Sequence, residues 1–179
     1  RDVLYVMDVA SRNIVKDFDF TLDQVLSPSF SPDGRRIVFS GMRQGMSDLY
    51  VASMDDGQMT QLTRDTYGDL SPAWSPDGRT IAFVSERSGG PQVYVMNADG
   101  SGARRMTYQG SYNTDPIWSP DGSRIAWVGR DGRFDVFHAQ PDGKGAVRVT
   151  QGTGDNEDPS WSPDGRYLAF SSTRSGGAP

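Results

Sequence analysis

The sequence predicts an all-β protein, a β-propeller of four-stranded antiparallel blades with about four blades' worth of chain, and three observations predict it. A Ser-Pro-Asp-Gly block recurs at Ser31–Gly34, Ser75–Gly78, Ser119–Gly122 and Ser162–Gly165, in steps of 44, 44 and 43 residues. The apolar segments around each block alternate with period two and are bounded by glycine or proline, which suits short strands and disfavours helical repeats. Units of this length with four strand segments stack radially, so that each sheet buries both faces and leaves only short edges. An open solenoid is the alternative. Residues 1–179 read as one propeller domain or a propeller fragment.

Each unit opens on a short strand ending in Pro-x-aromatic before the turn: SPSF, SPAW, DPIW and DPSW. In the turn, proline presets φ for the first corner, aspartate accepts local backbone hydrogen bonds and glycine supplies positive φ. The second strand alternates. Ile37 and Phe39, Ile81 and Phe83, Ile125 and Trp127, Leu168 and Phe170 point one way, with Val38, Ala82, Ala126 and Ala169 between them. A large face and a small face suit sheets stacked on one another. The third strand centres on Tyr50, Tyr94 and Phe137, with Tyr5 in the opening copy. The fourth ends in Leu62-Thr63, Met106-Thr107 or Val149-Thr150 and is the most polar, as an outer edge should be.

The chain starts on strands three and four of a unit and stops after strands one and two, so the terminal half-blades are complementary. Three arrangements satisfy this: a ring closed by a shared blade, a piece of a larger propeller, or self-association in which each half-blade pairs with another chain. The chain opens at Arg1 without a methionine or signal-like segment, which reads as a processed product or part of something longer.

Lys plus Arg number 18 against 23 Asp plus Glu, a net charge of -5, so no basic field exists to hold a polyphosphate and nucleic acid is not the expected partner. No apolar run approaches the roughly 20 residues of a membrane span. Cysteine is absent, which excludes disulfides and thiolate metal sites.

The most informative polar cluster lies at the start of the first strands: Asp69, Asp115 and Asp158, joined by Asn113, Asp155, Asn156 and Glu157. First strands line the axis of a propeller, so these groups form a candidate channel mouth able to take a calcium-like cation through oxygen ligands or a basic peptide. The competing reading is that each simply caps the loop entering its strand. Arg43, Arg87 and Arg174 recur between the second and third strands, where the third unit is a residue shorter and offers Arg130; pairing with nearby aspartates or carbonyls is expected. Trp74, Trp118 and Trp161, with Phe30 in the first unit, read as packing between blades. The single histidine, His138, stands where other units have Val6, Val51 and Val95. With no Gly-x-Ser-x-Gly elbow and no second histidine, a catalytic constellation is not expected.

The units resemble the TolB-type propeller family, best in PAWSPDGRTIAFVSERSGGPQVYVMNADG and PSWSPDGRYLAFSSTRSGG, and the resemblance covers the entire chain. It implies a scaffold for a protein partner, in the periplasm or secreted; no catalytic role is expected of it, and no cofactor beyond a calcium-like cation at the channel mouth. Similar repeats occur in tricorn-like proteases and in the propeller gates of prolyl-oligopeptidase-like hydrolases, so a module of such an enzyme is the alternative. A small-ligand or cation-binding propeller rests on the channel carboxylates alone. A TolB-like ring ordinarily has six blades and a preceding helical domain, and this sequence carries neither in full.

Overall fold

A computed structural model describes residues 1–174, and the described chain is all-β and antiparallel. Two strands, β1 (Leu4–Met7) and β2 (Ile14–Phe18), form a hairpin sheet. Three four-stranded sheets follow in simple chain order: β3 (Gln24–Phe30), β4 (Arg36–Arg43), β5 (Met46–Ser53) and β6 (Met59–Gln61); β7 (Asp69–Trp74), β8 (Thr80–Ser85), β9 (Gln92–Asn97) and β10 (Arg104–Arg105); β11 (Tyr112–Trp118), β12 (Ile125–Asp131), β13 (Arg133–Ala139) and β14 (Val147–Arg148). A last hairpin sheet pairs β15 (Asn156–Trp161) with β16 (Leu168–Ser172). We call the three complete sheets the first, second and third blades.

Each Ser-Pro-Asp-Gly corner is built the same way. In the first, Gly34 N–H donates to the Ser31 carbonyl at 2.8 Å, while Ser31 Oγ donates to Asp33 Oδ1 at 2.6 Å and accepts Arg36 N–H at 2.9 Å. Asp33 Oδ1 also accepts Arg35 N–H. The glycines at the four corners have φ of +69°, +69°, +71° and +69°, the left-handed region open to a residue without Cβ. The serine hydroxyl is the largest cause holding Asp33, Asp77 and Asp164 below the ordinary carboxylate value, and Asp121, which takes further bonds from Ser123, lies at about 2.

The large and small faces pack as the alternation predicts. Val38, Leu49 and Val51 of the first blade meet Trp74, Ile81, Phe83, Tyr94 and Met96 of the second in one core cluster. Ala82, Val93 and Val95 of the second meet Ile125, Trp127 and Ala139 of the third. The opening hairpin covers the first blade with Leu4 and Phe18 against Ile37, Phe39 and Tyr50. Small side chains on one sheet thus let the large face of the next approach closely, which is where most of the apolar burial arises. Trp118 adds a polar tie across a seam, its indole N–H donating to the Ala73 carbonyl at 3.1 Å.

The innermost strands run side by side, β3 beside β7, β7 beside β11 and β11 beside β15. The terminal half-blades are not paired with one another: they are separate two-stranded sheets. One packs on the first blade and the other against β12 and β13 of the third, at opposite ends of the stack, so of the three arrangements the ring closed by a shared blade is not formed.

Candidate functional site

The polar residues of the first strands separate into two sets with different surroundings. Asp69, Asn113 and Asn156 occupy equivalent positions at the start of β7, β11 and β15 and are buried, at 0%, 3% and 0% exposure. They face the seam with the preceding blade, not an open channel. At the seam between the second and third blades, Thr107 Oγ1 donates to Gln92 Oε1 at 2.8 Å and accepts Val93 N–H at 2.9 Å, and Asn113 Nδ2 donates to the same Gln92 oxygen at 3.0 Å. At the next seam, Thr150 Oγ1 donates to Asp135 Oδ1 at 2.6 Å and accepts Val136 N–H, and Asn156 Nδ2 donates to Asp135 at 3.1 Å. At the first, Thr63 Oγ1 donates to Asp48 Oδ1 at 3.2 Å and accepts Leu49 N–H. The threonine closing each fourth strand is therefore a bracket onto the third strand of its own blade, and at the last two seams the side chain it holds also takes an asparagine N–H from the next blade, a role the sequence reading missed. Its signal is a constant offset of 15 residues, Asp48 to Thr63, Gln92 to Thr107 and Asp135 to Thr150.

Asp69 is the ionic version of this position. Arg87 spans it, with Nη2 at 3.1 Å from Asp69 Oδ2 and 3.0 Å from Asp65 Oδ2, and its guanidinium stacks over Phe83 and Tyr94 at 5.6 and 5.0 Å. Burial nevertheless holds Asp69 above the ordinary carboxylate value, opposed in part by the Ser85 hydroxyl and the Arg87 charge. Asp48 is raised for the same first reason. Arg174 repeats the arrangement with a neutral acceptor, its Nη2 donating to Asn156 Oδ1 at 2.7 Å. Arg87 and Arg174 thus find the side-chain partners expected of them, while Arg43 and Arg130 lie exposed.

The second set is exposed, apart from half-buried Ser71. Ser27, Ser71, Asp115 and Asp158 hold one position in successive innermost strands, each with φ near +50° (51°, 50°, 52° and 52°) and each followed by proline. One extra residue on the inner strand displaces the register there, between Leu26 and Ser29, Leu70 and Ala73, Thr114 and Ile117, and Glu157 and Ser160. Such bulges re-aim side chains, and short polar residues tolerate the left-handed conformation they impose. Ser71 Oγ donates to Asp115 Oδ1 at 3.3 Å across two inner strands, and Asp158 accepts Ser171 Oγ at 3.1 Å. Of the predicted mouth, then, exposed Asp115 and Asp158 stand in one row with Ser27 and half-buried Ser71, and Asp69, Asn113 and Asn156 do not join it. Glu157 is half-buried beside Asp158, and Asp155 accepts Phe134 N–H at 3.1 Å. Among the described residues no group of three or more His, Asp or Glu side chains stands close enough to hold a metal ion.

His138 lies half-buried at the last seam, its ring centroid 6.3 Å from that of Trp161 and its Nε2 3.1 Å from Arg124 Nη1. Burial first and the Arg124 charge second lower its pKa, favouring the neutral ring.

The repeat geometry agrees with a family model, the TolB beta propeller domain, which matches residues 1–179. The chain belongs to the TolB β-propeller family. TolB from Acinetobacter baumannii is 29% identical, with a TM-score of 0.77 over 92% of this chain and 41% of that one. A TolB-like protein from Agrobacterium tumefaciens is 28% identical, with a TM-score of 0.74 over 85% of this chain and 60% of that one. The chain therefore spans less than two thirds of either TolB structure. Puromycin hydrolase shares the fold at 18% identity and a TM-score of 0.64, over 78% of this chain and 24% of the enzyme. No curated protein matches the chain. In this TolB-type propeller no helix among the described residues is long and apolar enough to cross a membrane.

Proposed function

We propose that the chain is a non-catalytic scaffold of the bacterial cell envelope that captures a protein partner along its innermost strands. The observation that carries this reading is the row of Ser27, Ser71, Asp115 and Asp158, exposed except at half-buried Ser71 and fixed by a repeated bulge and left-handed backbone. A rigid row of hydroxyls and carboxylates offers acceptors at set spacing to the N–H and cationic groups of an incoming peptide. The buried carboxylates are otherwise engaged: Asp69 by Arg87, and Asp48 and Asp135 by the bracket threonines. Kinship with TolB supports a periplasmic setting. The edges of β1 and β16, unpaired among the described residues, are a second place where another polypeptide, including another copy, can add a strand.

The competing reading is a propeller module of a hydrolase, favoured by the shared fold of puromycin hydrolase. A cross-linked pull-down from periplasmic extract, with this chain as bait, tests the first. Recovery of one saturable protein partner is expected. Capture of none, together with a hydrolase domain encoded beside this segment, would favour the second.

A further inference from the structure

One place recurs in the four successive sheets that carry a Ser-Pro-Asp-Gly turn: the spot above the second-strand aromatic, on the face turned to the preceding sheet. Nine residues after the turn glycine stand Arg43, Arg87 and Arg174, and in the third blade Asp131. In the second blade, Arg87 covers Phe83 and Tyr94 at 5.6 and 5.0 Å, anchored by Ser85 Oγ, Asp65 and Asp69. In the last half-blade, Arg174 covers Phe170 at 5.4 Å and donates to Ser172 Oγ at 2.8 Å. The first blade uses Leu22 at the spot, so close that a Cβ on Gly41 would stand 2.7 Å from its Cδ1. The third blade has no filler. Gly110 stands where the first unit has Leu22, and Asp131 stands where the others have arginine. What remains is a cavity of about 340 Å³ floored by Trp127 and Phe137, stacked 5.7 Å apart at 14°.

We propose that this cavity binds the guanidinium of an arginine carried by another polypeptide, laid on the Trp127–Phe137 ledge and paired with Asp131. The ledge is the surface that holds Arg87 and Arg174 within the chain, with tryptophan, the ring that attracts cations most strongly, in place of phenylalanine. Strand alternation puts Trp127, Gly129 and Asp131 on one face, and Asp131 lines the cavity. Among the described residues no cation lies within ion-pair distance of its carboxylate, its register partner Arg133 included. The other charges are engaged or turned away. Arg148, in the lining, is ion-paired with Asp135, and Arg130 lays its side chain over Phe134 on the opposite face of the sheet. Asn113, in the place of Asp69, is neutral, and its Oδ1 already accepts the Trp127 indole N–H at 2.8 Å. An occupant therefore meets an aromatic floor and one uncompensated carboxylate, the complement of a guanidinium. This site is separate from the row of Ser27, Ser71, Asp115 and Asp158, and rests on the scaffold reading only for the source of the arginine.

The test is a titration of the chain with the capped tripeptide acetyl-Gly-Arg-Gly-amide, read by NMR at the indole Nε1–H of Trp127, assigned with Trp127→Phe. A saturable shift of that indole is expected. Asp131→Asn should weaken binding about fivefold, the size of one partly exposed ion pair. Asp131→Arg, at an exposed position, restores the residue of the other units and should abolish binding by charge and by occupying the ledge. Arg130→Ala, on the other face, should leave it unchanged. A peptide with citrulline for arginine, planar but uncharged, should bind at least about tenfold more weakly. Because the probe is a free peptide, its failure is distinguishable from a failure to capture a protein partner. Absence of a saturable shift, equal binding of the arginine and citrulline peptides, or indifference to both Asp131→Asn and Asp131→Arg would overturn the assignment.

Discussion

Replacing Thr107 with valine removes an oxygen and almost nothing else, so it isolates the bracket that closes the second blade onto its third strand. Two bonds are lost: the one to Gln92 Oε1 at 2.8 Å and the one from Val93 N–H at 2.9 Å. Gln92 Oε1 keeps Asn113 Nδ2 at 3.0 Å and loses little. Val93 N–H, on a residue with no exposure, is left without that acceptor. An unmet buried donor costs about 1–3 kcal/mol and the weakened acceptor about 0.5–1 kcal/mol more, so we expect a loss of about 2–3 kcal/mol. For a chain of this size that lowers Tm by about 5–10 °C. Urea unfolding followed by circular dichroism measures it, with Thr107→Ser as the control that keeps both bonds and loses only a methyl. A valine variant as stable as the serine variant would refute the bracket.

Four further outcomes follow from the same geometry. Asp69→Asn should leave stability at neutral pH within about 1 kcal/mol of the parent, because Asn156 already accepts an arginine at the equivalent place. Since burial raises the Asp69 pKa, its charge opposes folding at neutral pH and the opposition fades as pH falls toward the unfolded value near ~4; the asparagine variant should flatten that segment of the stability profile. The turn aspartates act with the opposite sign: their lowered values stabilise the fold above pH ~4 and that contribution is lost on further acidification, so Asp121→Asn should weaken the acid dependence measured by fluorescence unfolding. Gly41→Ala should cost about 1–3 kcal/mol in urea unfolding, because its Cβ would meet Leu22 and the Tyr50 ring at 2.7 and 2.8 Å.

Much of this architecture was legible in the sequence because repetition averages out local ambiguity. Ser-Pro-Asp-Gly located every corner, and the Ile-Ala-Phe pattern assigned the faces that Ala82 and Phe83 now present to neighbouring blades. The candidate site was legible only in part. Asp69 was grouped with Asp115 and Asp158, yet it precedes its turn serine by six residues and they precede theirs by four. Two residues within a strand ordinarily share a face, but the inserted bulge residue breaks that alternation, so Asp69 is buried and Asp115 exposed. Composition alone cannot reveal a bulge. The bracket threonines went unread because a Leu-Thr pair at an outer edge suits a solvent-facing hydroxyl until the Gln92 or Asp135 of the adjoining strand is placed beside it. The terminal half-blades were a different case. Their complementarity is a property of any whole number of repeats, and pairing depends on how sharply successive sheets turn, which local patterning does not encode.

The scaffold account is tested most directly by comparing partner capture by the parent chain with that by an Asp115→Lys, Asp158→Lys double variant of unchanged circular dichroism. Both positions are exposed, so folding should survive the exchange while the inner row reverses its charge. The account predicts that the captured protein is lost or bound at least about tenfold more weakly by the double variant. Capture of the same protein with undiminished affinity would contradict it.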